Sequence, residues 1–132
     1  MAAGKYSFAI EQGSTVDFEI AYKDSNGDPI DLTDYQARMQ IRPSKGSDVT
    51  YITLSSSLAP DGTGLNMSGS EGINSPTLGT IGIFISANSS SEFSFNEAAY
   101  DLEIVTGSDY PIVTRLIEGN VKLIKEVTEG PY

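Results

Sequence analysis

Residues 15–22, TVDFEIAY, alternate between apolar and polar side chains along their length. Successive side chains of a β-strand point to opposite faces, so an alternation with period two predicts a strand. The apolar members would share one face, and the other face would hold Asp17 and Glu19. A strand of this kind is typical of an antiparallel sheet that has a core on one side and water on the other.

The same alternation recurs in most of the chain outside its middle. The further alternating segments are residues 6–11, 37–42, 49–54, 80–86, 98–106 and 111–127. Gly13 offers a turn between the first two segments, and Pro43 ends the third because proline donates no ladder hydrogen bond. Only residues 89–99 indicate a turn or so of helix. Seven to nine short strands predict an all-β fold, an antiparallel sandwich that is either immunoglobulin-like or jelly-roll-like.

The chain has the length of one domain, which we place at residues 1–132. Its middle, residues 55–80, changes to Ser, Gly, Asn and Pro, a composition that supplies little core. We predict a long surface excursion there, with room for one short strand at residues 65–67. Near the end, Gly119 and Asn120 separate two apolar runs, which indicates either a hairpin or a glycine bulge within one bent strand.

The composition excludes several classes of function. Eight Lys and Arg against eighteen Asp and Glu give a net charge of −10, which disfavours binding to nucleic acid and to anionic lipid. The chain contains no Cys and no His, so disulfides, thiolate metal sites and Ser-His-Asp triads are impossible. We therefore predict that the protein is not an enzyme and needs no cofactor. No long apolar run occurs, so we expect a soluble protein made in the cytoplasm.

One short segment has the beginning of a calcium-binding loop. Its candidate metal ligands are Asp24, Asn26, Asp28 and Asp31. The first three match the opening of the calcium-loop pattern, but Pro29 stands where the pattern needs Gly, and Tyr35 stands where it needs Glu. The Asn26-Gly27 pair is also a strong signal for a type I′ or similar hairpin turn. We interpret the segment as a hairpin and expect no metal site.

Three arginines stand out because they lie in or beside predicted strands of an acidic chain. Arg38 and Arg42 share one parity and should lie on the face opposite Met39 and Ile41, and Arg115 lies in the last alternating segment. Two interpretations stay open, namely cross-strand pairing with carboxylates and contact with another subunit, where arginine is enriched. The full set of candidate interface residues is Arg38, Arg42, Arg115, Tyr110 and Tyr132.

Three segments together resemble a family of small β-sandwich modules in tailed-phage virions. Residues 27–42, GDPIDLTDYQARMQIR, are similar to the family pattern G-x-P-I-D-L-T-G-Y-x-A-x-x-Q-I-R. Residues 98–128 resemble the family's ending, Y-x-Y-D-L followed by R-L-L-x-G-x-V-x-V, and residues 13–22 resemble its G-x-T strand. The modules include the N-terminal domain of siphophage upper baseplate proteins. The chain departs from the pattern at Asp34, where the family more often has Gly, and across residues 55–80.

The resemblance implies a structural protein of the virion, in the baseplate, tail or neck, that acts by protein–protein assembly and has no catalytic residues. Its partners would be other virion structural proteins and further copies of itself in a symmetric assembly, with no nucleic acid and no membrane. Two alternatives remain open at this point. One is a decoration protein that cements the head lattice, and the other is a calcium- or carbohydrate-binding β-sandwich module.

Overall fold

A computed structural model describes residues 4–106 and 109–128. Nine strands, one short helix and a 3-10 turn at Pro76–Leu78 make up this part of the chain. The elements are β1 (Gly4–Lys5), β2 (Phe8–Glu11), β3 (Val16–Ala21), β4 (Gln36–Arg42), β5 (Ile52–Ser55), β6 (Gly64–Asn66), β7 (Thr80–Ile85), α1 (Ala87–Ser91), β8 (Glu97–Thr106) and β9 (Ile112–Ile124). Within the described residues, no helix is long and apolar enough to cross a membrane.

The strands form two sheets that pack face to face. The larger sheet has the order β1-β9-β8-β4-β5, with β2 also paired to β9, and the smaller sheet has the order β3-β7-β6. All pairings are antiparallel except those of β1 and β2 with β9. The predicted all-β sandwich is therefore confirmed. In the larger sheet β5 flanks the β4–β8–β9 group on one side, and β1 and β2 flank it on the other.

The core lies between the sheets and consists of the inward members of each alternating strand. Its fully buried side chains come from both sheets and, in one case, from the connection between β3 and β4, and they are Ile10, Leu32, Met39, Ile41, Leu54, Leu65, Ile81, Ile83, Ile85, Leu102, Ile104 and Val121. In β3 the inward set that the sequence predicts is only partly buried beyond Val16, while Asp17 and Glu19 are exposed as expected. Period two in the sequence thus sets which face of each strand is buried.

β2 joins the larger sheet, although the next strand, β3, belongs to the smaller one. Gly13, with φ of 82°, sits in the turn between β2 and β3, so the predicted turn is present. This turn moves the chain from one sheet to the other, and β2 pairs in parallel with β9 at the opposite end of the sequence. The first and last strands of the chain therefore support each other.

The Ser/Gly-rich excursion at residues 55–80 is less superficial than its composition predicts. It contributes β6 to the smaller sheet, and Leu65 within it is fully buried. Its loop also folds back over β7, where a Cβ at Gly82 would lie 2.7 Å from the Gly69 carbonyl oxygen. The Glu19 carboxylate accepts hydrogen bonds from the backbone N–H and the hydroxyl of Ser70 and fixes the loop to β3. Glycine at position 82 permits this close approach because it has no side chain.

The last alternating segment is one continuous strand. The residues between Ile112 and Ile124 form β9, so Gly119 and Asn120 do not turn the chain, and the hairpin alternative is wrong. The other alternative is correct in expecting one strand but wrong in placing a bulge at Gly119. The bulge lies elsewhere, because Leu102 pairs with Ile117 while Glu103 pairs with Arg115, which leaves Leu116 as the extra residue. The glycine has another use, the close approach of the N-terminal strand.

Asp34 has φ of 68° and is the one described non-glycine residue in the left-handed region. Glycine adopts this region at no steric cost, whereas other residues are strained there. We expect Asp34→Gly to raise the free energy of unfolding by about 0.5–1 kcal/mol in urea denaturation. Asp48→Gly is the matched control, since it makes the same chemical change in a loop at ordinary φ and should lower stability. A loss of stability in both variants would contradict the prediction that the backbone of Asp34 is strained.

Candidate protein interface

The outer face of the larger sheet gathers the three arginines singled out from the sequence. Arg38 and Arg42 project from β4 and Arg115 projects from β9, and the outward residues of β8 lie between them. Cross-strand pairing places Glu103 opposite both Arg38 and Arg115. The predicted shared parity of the two β4 arginines is confirmed by the burial of Met39 and Ile41 on the other face.

Two of these arginines form cross-strand ion pairs. Arg38 Nε is 2.8 Å from one Glu103 carboxylate oxygen, and Arg115 Nε is 3.3 Å from Asp101 Oδ2. Arg115 Nη2 also lies 3.9 Å from the second Glu103 oxygen. Exposed pairs of this kind contribute only about 0.2–1 kcal/mol each, so they organise the surface more than they stabilise the fold.

Arg42 is held differently. Its Nε and Nη2 atoms donate to the Gln40 side-chain oxygen at 3.1 and 2.7 Å, and its Nη1 donates to the Ser47 carbonyl. None of the ion pairs among residues 4–106 and 109–128 includes Arg42. Its guanidinium is therefore fixed in position by neutral acceptors. It forms no ion pair with a described carboxylate, although its charge acts to lower the pKa of the nearby Asp101.

Glu118, on β9, is the most enclosed charge on this face. Its side chain is only 11% exposed, and its two carboxylate oxygens lie 2.5 Å from Lys5 Nζ and 2.8 Å from Lys45 Nζ. The hydrogen bonds from Lys45 and Lys5 outweigh the cost of burial and lower the pKa of Glu118 to about 2. The carboxylate thus connects β1, β9 and the loop after β4.

This carboxylate should make stability depend on acid pH. The folded pKa of about 2 lies below the ordinary value of 4.5, so Glu118 contributes stability that is present above pH 4.5 and lost as pH falls through about 2. We expect Glu118→Gln to be less stable than the wild type at pH 6, with the difference shrinking between pH 4.5 and 2. Urea unfolding across that range measures it. Glu92→Gln, at an exposed carboxylate, is the control, and a difference that does not change with pH would contradict the prediction.

An open groove of about 410 Å³ crosses the middle of the face. Three cations line it, namely Arg42, Lys45 and Arg115, together with the carboxylates of Asp101 and Glu103. Burial raises the pKa of Asp101, and the Arg115 guanidinium beside it acts in the opposite direction. The groove therefore offers fixed hydrogen-bond donors and charges to any molecule that docks there.

We call the eight charged residues at the centre of this face the charged cluster. Its members are Lys5, Arg38, Arg42, Lys45, Asp101, Glu103, Arg115 and Glu118. The whole chain has eight Lys and Arg against eighteen Asp and Glu, so outside the cluster three cations face fifteen acids. Toward one end of the same face, Glu97 and Lys122 are cross-strand neighbours, and their opposite charges cancel. The cluster is the one cation-rich part of the described surface.

The two tyrosines in the predicted interface set do not join the cluster. Tyr110 is 91% exposed in the connection between β8 and β9, next to the exposed Ile112 and Val113, and it does not line the groove. Tyr132 lies outside the described residues. Neither position has been tested as an interface, and both stay predictions.

Two of the four candidate metal ligands, Asp24 and Asp31, hold turns with their side chains. Asp24 Oδ1 accepts the backbone N–H groups of Asn26 and Asp28, and Asp31 Oδ1 accepts that of Thr33. The hairpin turn is present. The Asp24 N–H donates to the Asp28 carbonyl, which leaves a loop of three residues. Gly27 alone among them has positive φ, whereas a type I′ turn needs two such residues, so the turn is not type I′. In the described ranges, no group of three or more Asp, Glu, His or Cys side chains is placed to hold a metal ion.

Lys5, Lys45 and Glu118 of the charged cluster are not among the residues that the sequence singles out. Lys5 and Lys45 lie at a chain end and in a loop, and neither has a periodic pattern around it. Glu118 precedes the Gly119-Asn120 pair. Because that pair resembles a turn, the sequence does not indicate that the strand continues through Glu118. Its parity with Asn120 and Lys122 in a single strand was the available signal.

Neither the scan against protein-family models nor the search of curated proteins found a match to this chain.

Proposed function

We propose that this chain is a structural protein of a tailed-phage virion, in the baseplate, tail or neck, and that it acts by protein–protein assembly. The contact surface is the outer face of the larger sheet, with the charged cluster at its centre. The contact uses side chains that the strands already hold in place, so little ordering of this surface accompanies binding.

The observation that most supports the proposal is the state of Arg42. A guanidinium fixed by Gln40 and the Ser47 carbonyl, on a face built from strands, is a preorganised donor that forms no ion pair within the described chain. Arginine is enriched in protein interfaces because its planar fork pairs with carboxylates through two parallel hydrogen bonds. Arg42 on this surface is therefore suited to a protein partner.

A second support comes from the departure at Asp34. The phage pattern more often has Gly at this position, and φ there is 68°, in the region that favours glycine. The pattern and the backbone thus require the same conformation at one position. The similarity of the two longer segments to the phage modules supplies the remaining argument for a virion role.

Quantitative mass spectrometry of purified particles tests the proposal, using the phage or prophage whose genome encodes the chain. We expect the protein in intact particles at a fixed ratio to the major tail protein. A dozen copies or fewer would place it in the tail or baseplate, and hundreds would place it on the head. Its absence from particles that contain the other structural proteins would contradict the proposal.

A further inference from the structure

The two outer faces of the sandwich differ in charge. The three strands of the smaller sheet contain no Lys or Arg, and their outward residues include Asp17 and Glu19. The excursion that covers this sheet adds Asp61 and Glu71 and also contains no cation. The larger sheet has five cations in its charged cluster against three carboxylates. One face is thus cation-rich, and the charges of the other are mostly acidic, with the exposed Lys23 just beyond β3 at the parity of Asp17 and Glu19.

Arg42 and Asp17 are ionic side chains, one on each face, that form no ion pair within the described chain. Arg42 on the larger sheet is in none of the ion pairs of the described chain, and the Asp17 side chain is in none of its hydrogen bonds or ion pairs. Asp17 is exposed on an edge strand and is free to accept two hydrogen bonds from a guanidinium. Glu19 beside it is already engaged by Ser70.

We propose that copies of this chain associate head to tail, with the cation-lined groove of one copy against the acidic outer face of the smaller sheet of the next. Arg42 of one copy then pairs with Asp17 of its neighbour. Contacts between two like faces would oppose charges of the same sign, and only the contact between unlike faces pairs opposite charges. This inference rests on the proposed role in assembly and names the partner surface.

A head-to-tail contact is heterologous, so each copy keeps one free face of each kind. Such contacts close into a ring if the rotation between copies allows it and otherwise continue as a filament. Because the attraction is between exposed charges, it should weaken as ionic strength rises. The arrangement therefore predicts assembly that salt disperses.

Charge reversal on the acidic face tests the contact. We expect the wild type to assemble in low salt and to dissociate in 0.5 M NaCl, as measured by light scattering over a range of concentrations. Asp17→Lys should weaken assembly at least about tenfold, because opposed charges at close contact repel. Glu92→Lys is the matched control, since it makes the same change in net charge in the connection after α1 and should assemble as the wild type does. Equal effects of both variants would overturn the proposal.

Disulfide trapping determines which faces meet, and the chain suits it because it contains no cysteine. Ala99→Cys places a thiol in the groove, and Ala21→Cys places one on the outward side of β3. An equimolar mixture of the two variants under mild oxidation should give mostly mixed dimers. A predominance of either homodimer, or no more disulfide than a Ser91→Cys control gives, would overturn head-to-tail contact. These results are independent of whether the protein is found in virions, so the two proposals fail separately.

Discussion

We expect truncation of Leu102 to alanine to lower the free energy of unfolding by about 3–5 kcal/mol. Leu102 is fully buried in β8, the strand at the middle of the larger sheet, between Met39 of β4 and Ile117 of β9. Both neighbouring strands are fixed by ladders on their two sides, so the sheet closes poorly around a missing side chain. The loss therefore combines the transfer free energy of the removed atoms with the cost of the remaining cavity.

Guanidinium unfolding followed by far-ultraviolet circular dichroism measures this loss. Leu78→Ala is the matched control, because it removes the same atoms from a side chain that is 48% exposed in the 3-10 turn. We expect that variant to lose less than about 1 kcal/mol, in proportion to the smaller area withdrawn from water. Similar losses in the two variants would contradict the placement of Leu102 at the centre of the core.

The burial of Leu102 was predictable from the sequence, because it depends on local alternation. Residues 98–106 repeat with period two, and the structure buries the members that share the parity of Leu102. The same reasoning located β3, β4, β7 and β9. It did not locate the partner of β2, because that pairing joins residues more than 100 positions apart and no local pattern records it.

The candidate site was predictable to the same extent. The parity of Arg38 and Arg42 placed both on the outer face, since parity within one strand is a local property. The ion pairs of Glu118 with Lys5 and Lys45 depend on how distant segments meet at β9, and a sequence pattern does not contain that information. The charge contrast between the two faces likewise required the assignment of each strand to a sheet.

The second large effect is expected at Gly119, where the connection between β1 and β2 approaches the backbone of β9 closely. A Cβ at this position would overlap the Tyr6 carbonyl oxygen and would lie 2.7 Å from the Tyr6 carbonyl carbon. Backbone on both sides cannot yield as a flexible side chain does, so the N-terminal strand must move away. We expect Gly119→Ala to lower the free energy of unfolding by about 2–4 kcal/mol.

The size of this effect follows from the hydrogen bonds that the Tyr6 backbone makes. Its N–H donates to the Glu118 carbonyl at 3.0 Å, and its carbonyl accepts the buried Tyr100 hydroxyl at 2.5 Å. The Asn120 N–H also donates to the Ser7 hydroxyl at 3.1 Å. Displacing the strand leaves the Tyr100 hydroxyl without its acceptor in the core, and an unsatisfied buried donor costs about 1–3 kcal/mol.

Gly4→Ala separates this steric effect from a general cost of replacing glycine in the paired N-terminal segment. A Cβ at Gly4 would lie 3.5 Å from the Leu116 carbonyl oxygen and 3.6 Å from Ile117 Cγ2, which are ordinary contacts. We therefore expect that variant to unfold close to the wild type. Hydrogen exchange should show faster exchange of the Tyr6 and Asn120 amides in Gly119→Ala only. If both variants exchange and unfold alike, the N-terminal strand does not depend on the gap at Gly119, and the parallel pairing with β9 contributes little to the fold.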